Sequence, residues 1–130
     1  MNDGQGPPEG DERATKRLVE LLHDVPGIRG ALVASVDGYP LAHHLPGHDA
    51  GSTAAIVASS CGLGQQLASL VGDGTMREIV VHSDQGYVVI YTVGDRGVLT
   101  VLTQPSANLA RLHLRARDLV AVLADELLAP

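Results

Sequence analysis

Histidines are the side chains in this chain most able to bind a metal ion, and there are six of them. His43, His44 and His48 are close in sequence at the end of a predicted hairpin, but neighbouring side chains of a strand point to opposite faces of the sheet. No carboxylate accompanies them at the spacing of a His-Glu-x-x-His zinc motif. His82 and His113 are distant in sequence, and no pattern couples them. We therefore predict a solvated loop edge and no metal site.

The motifs of nucleophilic and nucleotide chemistry are absent or incomplete. Cys61, the single cysteine, excludes an intramolecular disulfide, and its apolar setting is typical of a small buried hydrophobic side chain. Gly62-Leu63-Gly64 begins like a dinucleotide fingerprint, but Leu67 occupies the third glycine position and no strand precedes it. A phosphate-binding loop, a Gly-x-Ser-x-Gly elbow and a Ser-x-x-Lys motif do not occur. We predict that the chain is not an enzyme and holds no cofactor.

The charge balance argues against nucleic acid as a partner. The chain has 15 acidic against 9 basic residues, for a formal net charge of −6, and its aromatic share is 2 %. Nucleic-acid surfaces need clustered lysine and arginine, and single-strand binders also need stacking side chains. Arg111, Arg115 and Arg117 form the basic concentration, on a predicted helix where Arg115 can pair with Asp118. A solvated helix face is the favoured interpretation of these arginines.

The length of 130 residues corresponds to one domain. Residues 1–10 are rich in Gly, Pro, Asp and Glu and predict a disordered tail, which leaves residues 11–130 as the domain. The start lacks the basic and apolar regions of a signal peptide, and no stretch approaches the roughly 18 apolar residues of a membrane span. We expect a cytoplasmic protein.

Elements that could position a site begin with a helix and a hairpin. The helix ends at Pro26-Gly27, and its apolar residues at helical spacing are Ala14, Leu18, Leu21, Leu22 and Val25. Residues 28–36 and 39–45 flank an Asp37-Gly38 turn, which predicts a β-hairpin. Pro40 cannot donate to a ladder and predicts that the second strand lies at a sheet edge.

Residues 50–71 predict a long central helix, capped by Asp49 or Ser52. One line along it is expected to be a core stripe and consists of Ile56, Leu63, Leu67 and Leu70. A second line consists of small or uncharged residues, Gly51, Ala55, Ala58, Gly62, Gln65 and Ser69. This second line either permits close approach of another backbone, or faces solvent or the sheet, and the pattern alone leaves both open.

Three strands and a last helix follow. The strands are predicted at residues 76–82, 86–93 and 97–103, and the middle one is apolar on both faces, so it needs a layer on each side. The last helix is predicted to open at Pro105-Ser106, with a core stripe of Leu109, Leu112, Ala116, Leu119, Val120, Leu123 and Leu127. The order α-β-β-α-β-β-β-α predicts a profilin-like α+β fold, in which a five-stranded antiparallel sheet is sandwiched between the central helix and the two terminal helices.

This ordered set resembles the roadblock/dynein light-chain family, in particular its bacterial MglB-like and actinobacterial GTPase-operon members. The resemblance covers about residues 18–127, and it makes residues 11–130 a roadblock-like domain. Its motifs are Val25-Pro26-Gly27-Ile28, Ser35-Val36-Asp37-Gly38-Tyr39-Pro40-Leu41-Ala42, the small-residue central helix, Gly86-Tyr87-Val88-Val89-Ile90, Leu99-Thr100-Val101-Leu102-Thr103, and Pro105 with Asn108-Leu109.

The resemblance implies a non-catalytic homodimer that binds a small Ras-like GTPase and modulates its GTP/GDP cycle or localisation, without binding nucleotide itself. It also implies that the third strands of two protomers pair and that the central helices lie side by side. The third strand fits this, because it would be an aggregation-prone edge if left exposed. The predicted dimer interface comprises Ala58, Gly62, Gln65, Ile79, Val80 and Val81.

The two central helices of such a dimer would form a platform for the GTPase. Its outward positions are predicted to be small or uncharged, since interface cores are depleted in charge, and they are Ala55, Ser59, Gly62 and Gln66. The family further implies association with a sensor kinase complex and, through such partners, with the membrane surface, without membrane insertion.

The alternative is a small-molecule sensor domain of the profilin-like or PAS-like type. Such a pocket normally has aromatic walls and a few convergent polar groups. Three tyrosines are the only aromatic residues of this chain. We therefore favour the regulatory interpretation over the sensor.

Overall fold

The computed structural model describes residues 9–127, so most of the predicted tail, residues 1–8, lies outside the described residues. The elements follow one another in the predicted order, and α1 begins at Glu9, inside the segment predicted as tail. A 3-10 turn at Ser69–Val71 extends the central helix. The bounds are α1 Glu9–Asp24, β1 Ile28–Ser35, β2 Pro40–His44, α2 Ala50–Ala68, β3 Glu78–Ser83, β4 Gly86–Val93, β5 Gly97–Thr103 and α3 Leu109–Leu127.

The strands form one five-stranded antiparallel sheet in the order β2-β1-β5-β4-β3. The first and last strands of the chain, β1 and β5, are neighbours in its middle, with Leu32 opposite Thr100. Strands β2 and β3 are therefore the two edges. Pro40 begins β2, which confirms the edge position that its missing N–H predicts.

Each face of the sheet is covered by helices, as the doubly apolar β4 requires. Helices α1 and α3 cover one face, where Leu18, Leu99 and Leu112 are fully buried. Helix α2 covers the other face over a smaller cluster that includes Leu32 and Ile90. The sandwich of one central and two terminal helices around the sheet is therefore confirmed.

Ion pairs join α1 to α3 on the outside of their layer. The Arg17 guanidinium donates to both carboxylate oxygens of Glu126 at 2.8 and 2.7 Å. This hydrogen bonding raises the pKa of Arg17 and lowers that of Glu126. Arg115 Nη2 lies 2.6 Å from Asp24 Oδ2, so Arg115 pairs with the neighbouring helix and not with Asp118.

Side-chain caps fix the ends of two helices. Asp49 caps α2, since its Oδ2 accepts from the backbone N–H and from the hydroxyl of Ser52, both at 2.8 Å. These bonds lower the pKa of Asp49. The prediction that the last helix opens at Pro105-Ser106 is wrong: Asn108 Oδ1 accepts from the Arg111 N–H at 3.0 Å, and α3 begins at Leu109.

Candidate functional site

The largest apolar side chains of the central helix lie on the surface of the protomer. They are between 63 % and 92 % exposed, and they form what we call the apolar stripe: Ile56, Leu63, Leu67, Leu70 and Val71. The prediction that Ile56, Leu63, Leu67 and Leu70 form a core stripe is therefore wrong. A contiguous apolar surface of this kind on a small domain marks an interaction site.

Helix α2 instead reaches the sheet through small side chains. Ala54, Val57 and Gly64 are its buried residues. A Cβ on Gly64 would collide with the Met76 sulfur and lie 2.8 Å from Ile79 Cδ1, so the helix backbone packs directly on these two side chains. Met76 and Ile79 fill the space under this turn of α2, and its leucines lie on the outside. No side of α2 carries a charged residue, so periodicity alone could not identify its inner face.

The central helix also carries no charged side chain between Ala50 and Val71. Within residues 9–127 this segment of 22 residues is the one helix long and apolar enough to cross a membrane, with a mean hydropathy of 1.3. The expectation that no stretch approaches a membrane span is wrong on length and composition. The inner face of the helix nevertheless packs on the sheet through Ala54 and Val57.

The edge strand β3 adds a second apolar surface beside the helix. Val80 is 43 % exposed on the α1/α3 face and Val81 is 50 % exposed on the α2 face. Ile79, also predicted as an interface residue, is half-buried and packs against the core under α2. The outer backbone groups of β3 have no strand beside them in the described part of the chain. Such an edge is a template for pairing with another strand.

The predicted interface residues of α2 lie on a different flank from the apolar stripe. Ala58, Gly62 and Gln65 line a cleft of about 350 Å³ beside the β4–β5 turn. Gln65 uses its side chain within the protomer: Oε1 accepts from the Met76 N–H at 2.9 Å, and Nε2 donates to the Gly74 carbonyl at 3.3 Å. Gln65 thus fastens the loop that leads into β3.

The predicted GTPase-binding residues Ala55, Ser59, Gly62 and Gln66 are all exposed. Their spacing places them on one line along α2, which points away from the sheet. The Ser59 hydroxyl donates to the Ala55 carbonyl at 3.0 Å, and the position of a Cβ on Gly62 has no atom within 4 Å. This line is a flat surface without charge that borders the apolar stripe.

A polar cluster that the sequence did not reveal joins α3 to the start of β3. The Tyr91 hydroxyl lies 2.7 Å from His113 Nδ1, and His113 Nε2 lies 3.6 Å from Glu78 Oε2. Burial raises the pKa of the Tyr91 phenol, which therefore keeps its proton and shares a hydrogen bond with His113 Nδ1. Strand register and helix placement bring His113 to Tyr91 and Glu78, which are distant from it in sequence.

The remaining reactive groups considered within residues 9–127 are Cys61 and the histidines of β2. Burial raises the pKa of the half-buried Cys61 thiol, which disfavours the reactive thiolate. His43 and His44 follow one another in β2 and pair with Leu32 and Ala31, so their side chains point to opposite faces. Among residues 9–127 no three His, Cys, Asp or Glu side chains are grouped to hold a metal ion.

Comparison with known proteins identifies relatives over most of the chain. A family model described as Roadblock/LC7 domain matches residues 14–103. The crystal structure of a Roadblock/LC7 domain from Streptomyces avermitilis superposes with a TM-score of 0.81 at 28 % identity, covering 88 % of this chain and 98 % of that one. An uncharacterized protein of Methanocaldococcus jannaschii, MJ0310, is 29 % identical over 111 residues, 82 % of this chain and 96 % of its own.

A structure described as MglB with tetrameric arrangement superposes with a TM-score of 0.83 at 25 % identity, over 91 % of this chain and 90 % of that one. Profilin Ia of Acanthamoeba castellanii shares the fold alone, with a TM-score of 0.62 at 12 % identity over 88 % of this chain and 96 % of its own. The predicted profilin-like architecture is thereby confirmed.

Proposed function

This chain belongs to the Roadblock/LC7 domain family, and we propose that it acts as a non-catalytic homodimer that binds a small Ras-like GTPase and modulates its GTP/GDP cycle or its localisation. At a coarser level, the family match and the MglB-like neighbours support a regulatory domain of the GTPase-associated type and not an enzyme. The observation that carries the proposal is the apolar stripe of α2 beside the unpaired edge of β3.

A second copy of the chain is the occupant that fits both parts of this surface. Gly64 lies on Ile79, so the last turns of α2, with Leu67, Leu70 and Val71, lie close to the β3 edge. A copy paired to β3 would place its own apolar stripe on the same face of the extended sheet. The tetrameric arrangement of the MglB structure supports self-association in this family.

A lipid bilayer fits the same surface less well. Hydrocarbon could cover the leucines of α2, but it cannot bond the open N–H and C=O groups of β3. An adjacent strand satisfies those groups and covers Val80 and Val81 at the same time. The combination of an apolar helix with an open strand edge therefore favours a protein partner.

The GTPase is proposed to bind the outward line of α2, in the dimer a surface contributed by both protomers. Ala55, Ser59, Gly62 and Gln66 carry no charge that a partner would have to desolvate. The line points away from the sheet and remains accessible when β3 is paired.

Two measurements test this function. Light scattering at micromolar concentration should give twice the mass of one chain, and a monomer would contradict the dimer. Ser59→Arg and Gln66→Glu should weaken capture of a small GTPase at least tenfold, because an interface core tolerates added charge poorly, while the dimer persists. Arg111→Glu, an exposed position on α3, is the matched control and should leave capture unchanged. The reverse pattern would place the GTPase on the other layer.

The sensor alternative has one supporting observation, the cleft of about 350 Å³ between α2 and the β4–β5 turn. Its volume is near the lower end for ligand pockets, roughly 300–1,000 Å³. A thermal-shift screen against metabolites tests it: a concentration-dependent rise in melting temperature that Gly62→Leu abolishes would favour the sensor over the regulator.

A further inference from the structure

The structure fixes which residues of β3 direct their backbone N–H and C=O groups to its open edge. The Thr92 N–H donates to the Arg77 carbonyl at 3.1 Å, so the backbone of residue 77 is directed towards β4. Backbone groups alternate along a strand. Those of Ile79 and Val81 therefore also point to β4, while those of Glu78, Val80 and His82 point outward, away from the sheet.

The side chains of β3 alternate between the two faces in the same way. Val80 is opposite Val89 and therefore on the α1/α3 face, whereas Ile79 is opposite Ile90 and on the α2 face. Partners in an antiparallel ladder have side chains on the same face. A copy related by a two-fold axis perpendicular to the sheet must then pair α1/α3-face residues with α1/α3-face residues. The axis consequently lies midway between the two copies of one β3 residue, so that this residue is opposite itself in the partner.

Resting on the homodimer of the proposed function, we propose that two copies of β3 pair antiparallel about Val80, so that Glu78 of each chain lies opposite the partner's His82. In this register the outward-directed Glu78, Val80 and His82 of each chain all exchange backbone hydrogen bonds with the other chain. Val80 meets the partner's Val80, and Ile79 meets the partner's Val81. Each pair between residues 78 and 82 thus joins two apolar side chains or a carboxylate and an imidazole.

The competing register, centred on Val81, is less favourable on two counts. It pairs the outward backbone of Val80 with the partner's His82 and leaves that of Glu78 beyond the end of the partner strand. It also places Glu78 opposite the partner's Asp84, and like charges directly opposite destabilise a ladder.

The groups around Glu78 and His82 suit the contact. His82 stacks on Tyr87 with ring centroids 4.4 Å apart, which holds its imidazole on the α1/α3 face. Glu78 already lies 3.6 Å from His113 Nε2 and would accept from a second imidazole across the axis. Arg77, Arg117 and the buried Tyr91 line the same cleft around Glu78, so the carboxylate lies among donors and cations.

A charge exchange tests this register. At about pH 6, where histidine side chains carry appreciable positive charge, Glu78→Lys and His82→Glu should each weaken the dimer roughly tenfold, since each creates two repulsive cross-strand pairs. The double variant Glu78→Lys/His82→Glu should recover an affinity within about threefold of the wild type. The double variant lacks both wild-type side chains and their contacts within the protomer, so a regained dimer affinity must come from the cross-strand pair. Urea unfolding of each variant checks that the fold is intact.

Asp84→Asn in the exposed β3–β4 turn is the second, conservative test. It should leave the dissociation constant unchanged in the Val80 register and lower it in the Val81 register. A dimer tightened by Asp84→Asn or by Glu78→Lys would overturn the register while the homodimer stands. A double variant whose loss of affinity equals the sum of the two single losses would do the same. A monomeric wild type would overturn the homodimer itself.

Discussion

The two faces of the sheet are built on opposite principles. Under α1 and α3 the large side chains are inside: Leu18, Leu99 and Leu112 are fully buried, and among the described side chains of these two helices Leu114 is the one large apolar residue left exposed. Over the other face, α2 buries Ala54, Val57 and Gly64 and displays its leucines. Ion pairs secure the first layer, whereas α2 carries no charge.

This difference separates stability from assembly. The α1/α3 layer supplies most of the buried apolar surface, whose removal from water stabilises the fold. The α2 layer keeps a large apolar area exposed, at a cost in solubility that only a partner offsets. Substitutions in the two layers should therefore change different measurements.

The largest effect is expected in the α1/α3 core. Leu112→Ala should lower the free energy of unfolding by about 2–5 kcal/mol, because it leaves a cavity at a fully buried position. Leu63→Ala, on the apolar stripe, should change the unfolding of a monomer by less than about 0.5 kcal/mol. Urea denaturation at concentrations below the dimer dissociation constant measures both, and equal losses would contradict the division between the layers.

Assembly should respond in the opposite order. Leu67→Asp places a charge in the proposed interface and should weaken self-association at least about 100-fold, since an unpaired buried charge costs several kcal/mol. Leu114→Asp is the matched control, an equally exposed leucine on α3, and should leave the dimer intact. Sedimentation across a concentration series distinguishes the two; a dimer insensitive to Leu67→Asp would exclude α2 from the interface.

Two neighbouring glycines sharpen the comparison within α2. Gly62→Ala should stabilise the protein by up to about 1 kcal/mol, since the position is open and alanine favours the helix. Gly64→Ala should be less stable than Gly62→Ala by about 1 kcal/mol, because its methyl group must displace the flexible ends of the Met76 and Ile79 side chains. Thermal melting of both variants measures the difference, and equal gains would mean that α2 lies further from β3.

The polar cluster of the α1/α3 layer should contribute less. Tyr91→Phe removes the hydrogen bond to His113 Nδ1 and should cost about 1 kcal/mol, while Thr92→Ser keeps the cluster and should change little. Denaturant midpoints measure the difference. A Tyr91→Phe variant as stable as the wild type would show that water replaces the hydroxyl.

The smallest effect concerns the Arg17–Glu126 pair. The folded state lowers the pKa of Glu126, so the pair contributes stability above the carboxyl's unfolded pKa, and this contribution is lost as pH falls through the lower folded value. Glu126→Gln should therefore be slightly less stable than the wild type at neutral pH, and the difference should vanish in acid. A difference that persists at the acid end would point to packing and not to charge.

Particular residues show how far the sequence could be interpreted. Asp37-Gly38 correctly predicted a turn, because Gly38 adopts a φ of 94° that glycine favours. Pro40 correctly predicted an edge strand, because proline has no backbone N–H to donate in any context. The stripe of α3 was predicted because polar residues occupy its other side, so one face alone could be buried. The predicted start of α3 was wrong because Asn108 caps the helix, and this capping preference outweighed the preference of Pro105 for the first turn of a helix.

The sequence by itself determined the order of elements, the turns and the inner face of α3, since each follows from spacing or from the backbone preference of single residues. The tertiary structure alone decided which face of α2 is inside, because that depends on how closely its backbone approaches Met76 and Ile79. It alone brought Glu78, Tyr91 and His113 together, because strand register and helix placement set distances between residues far apart in the chain.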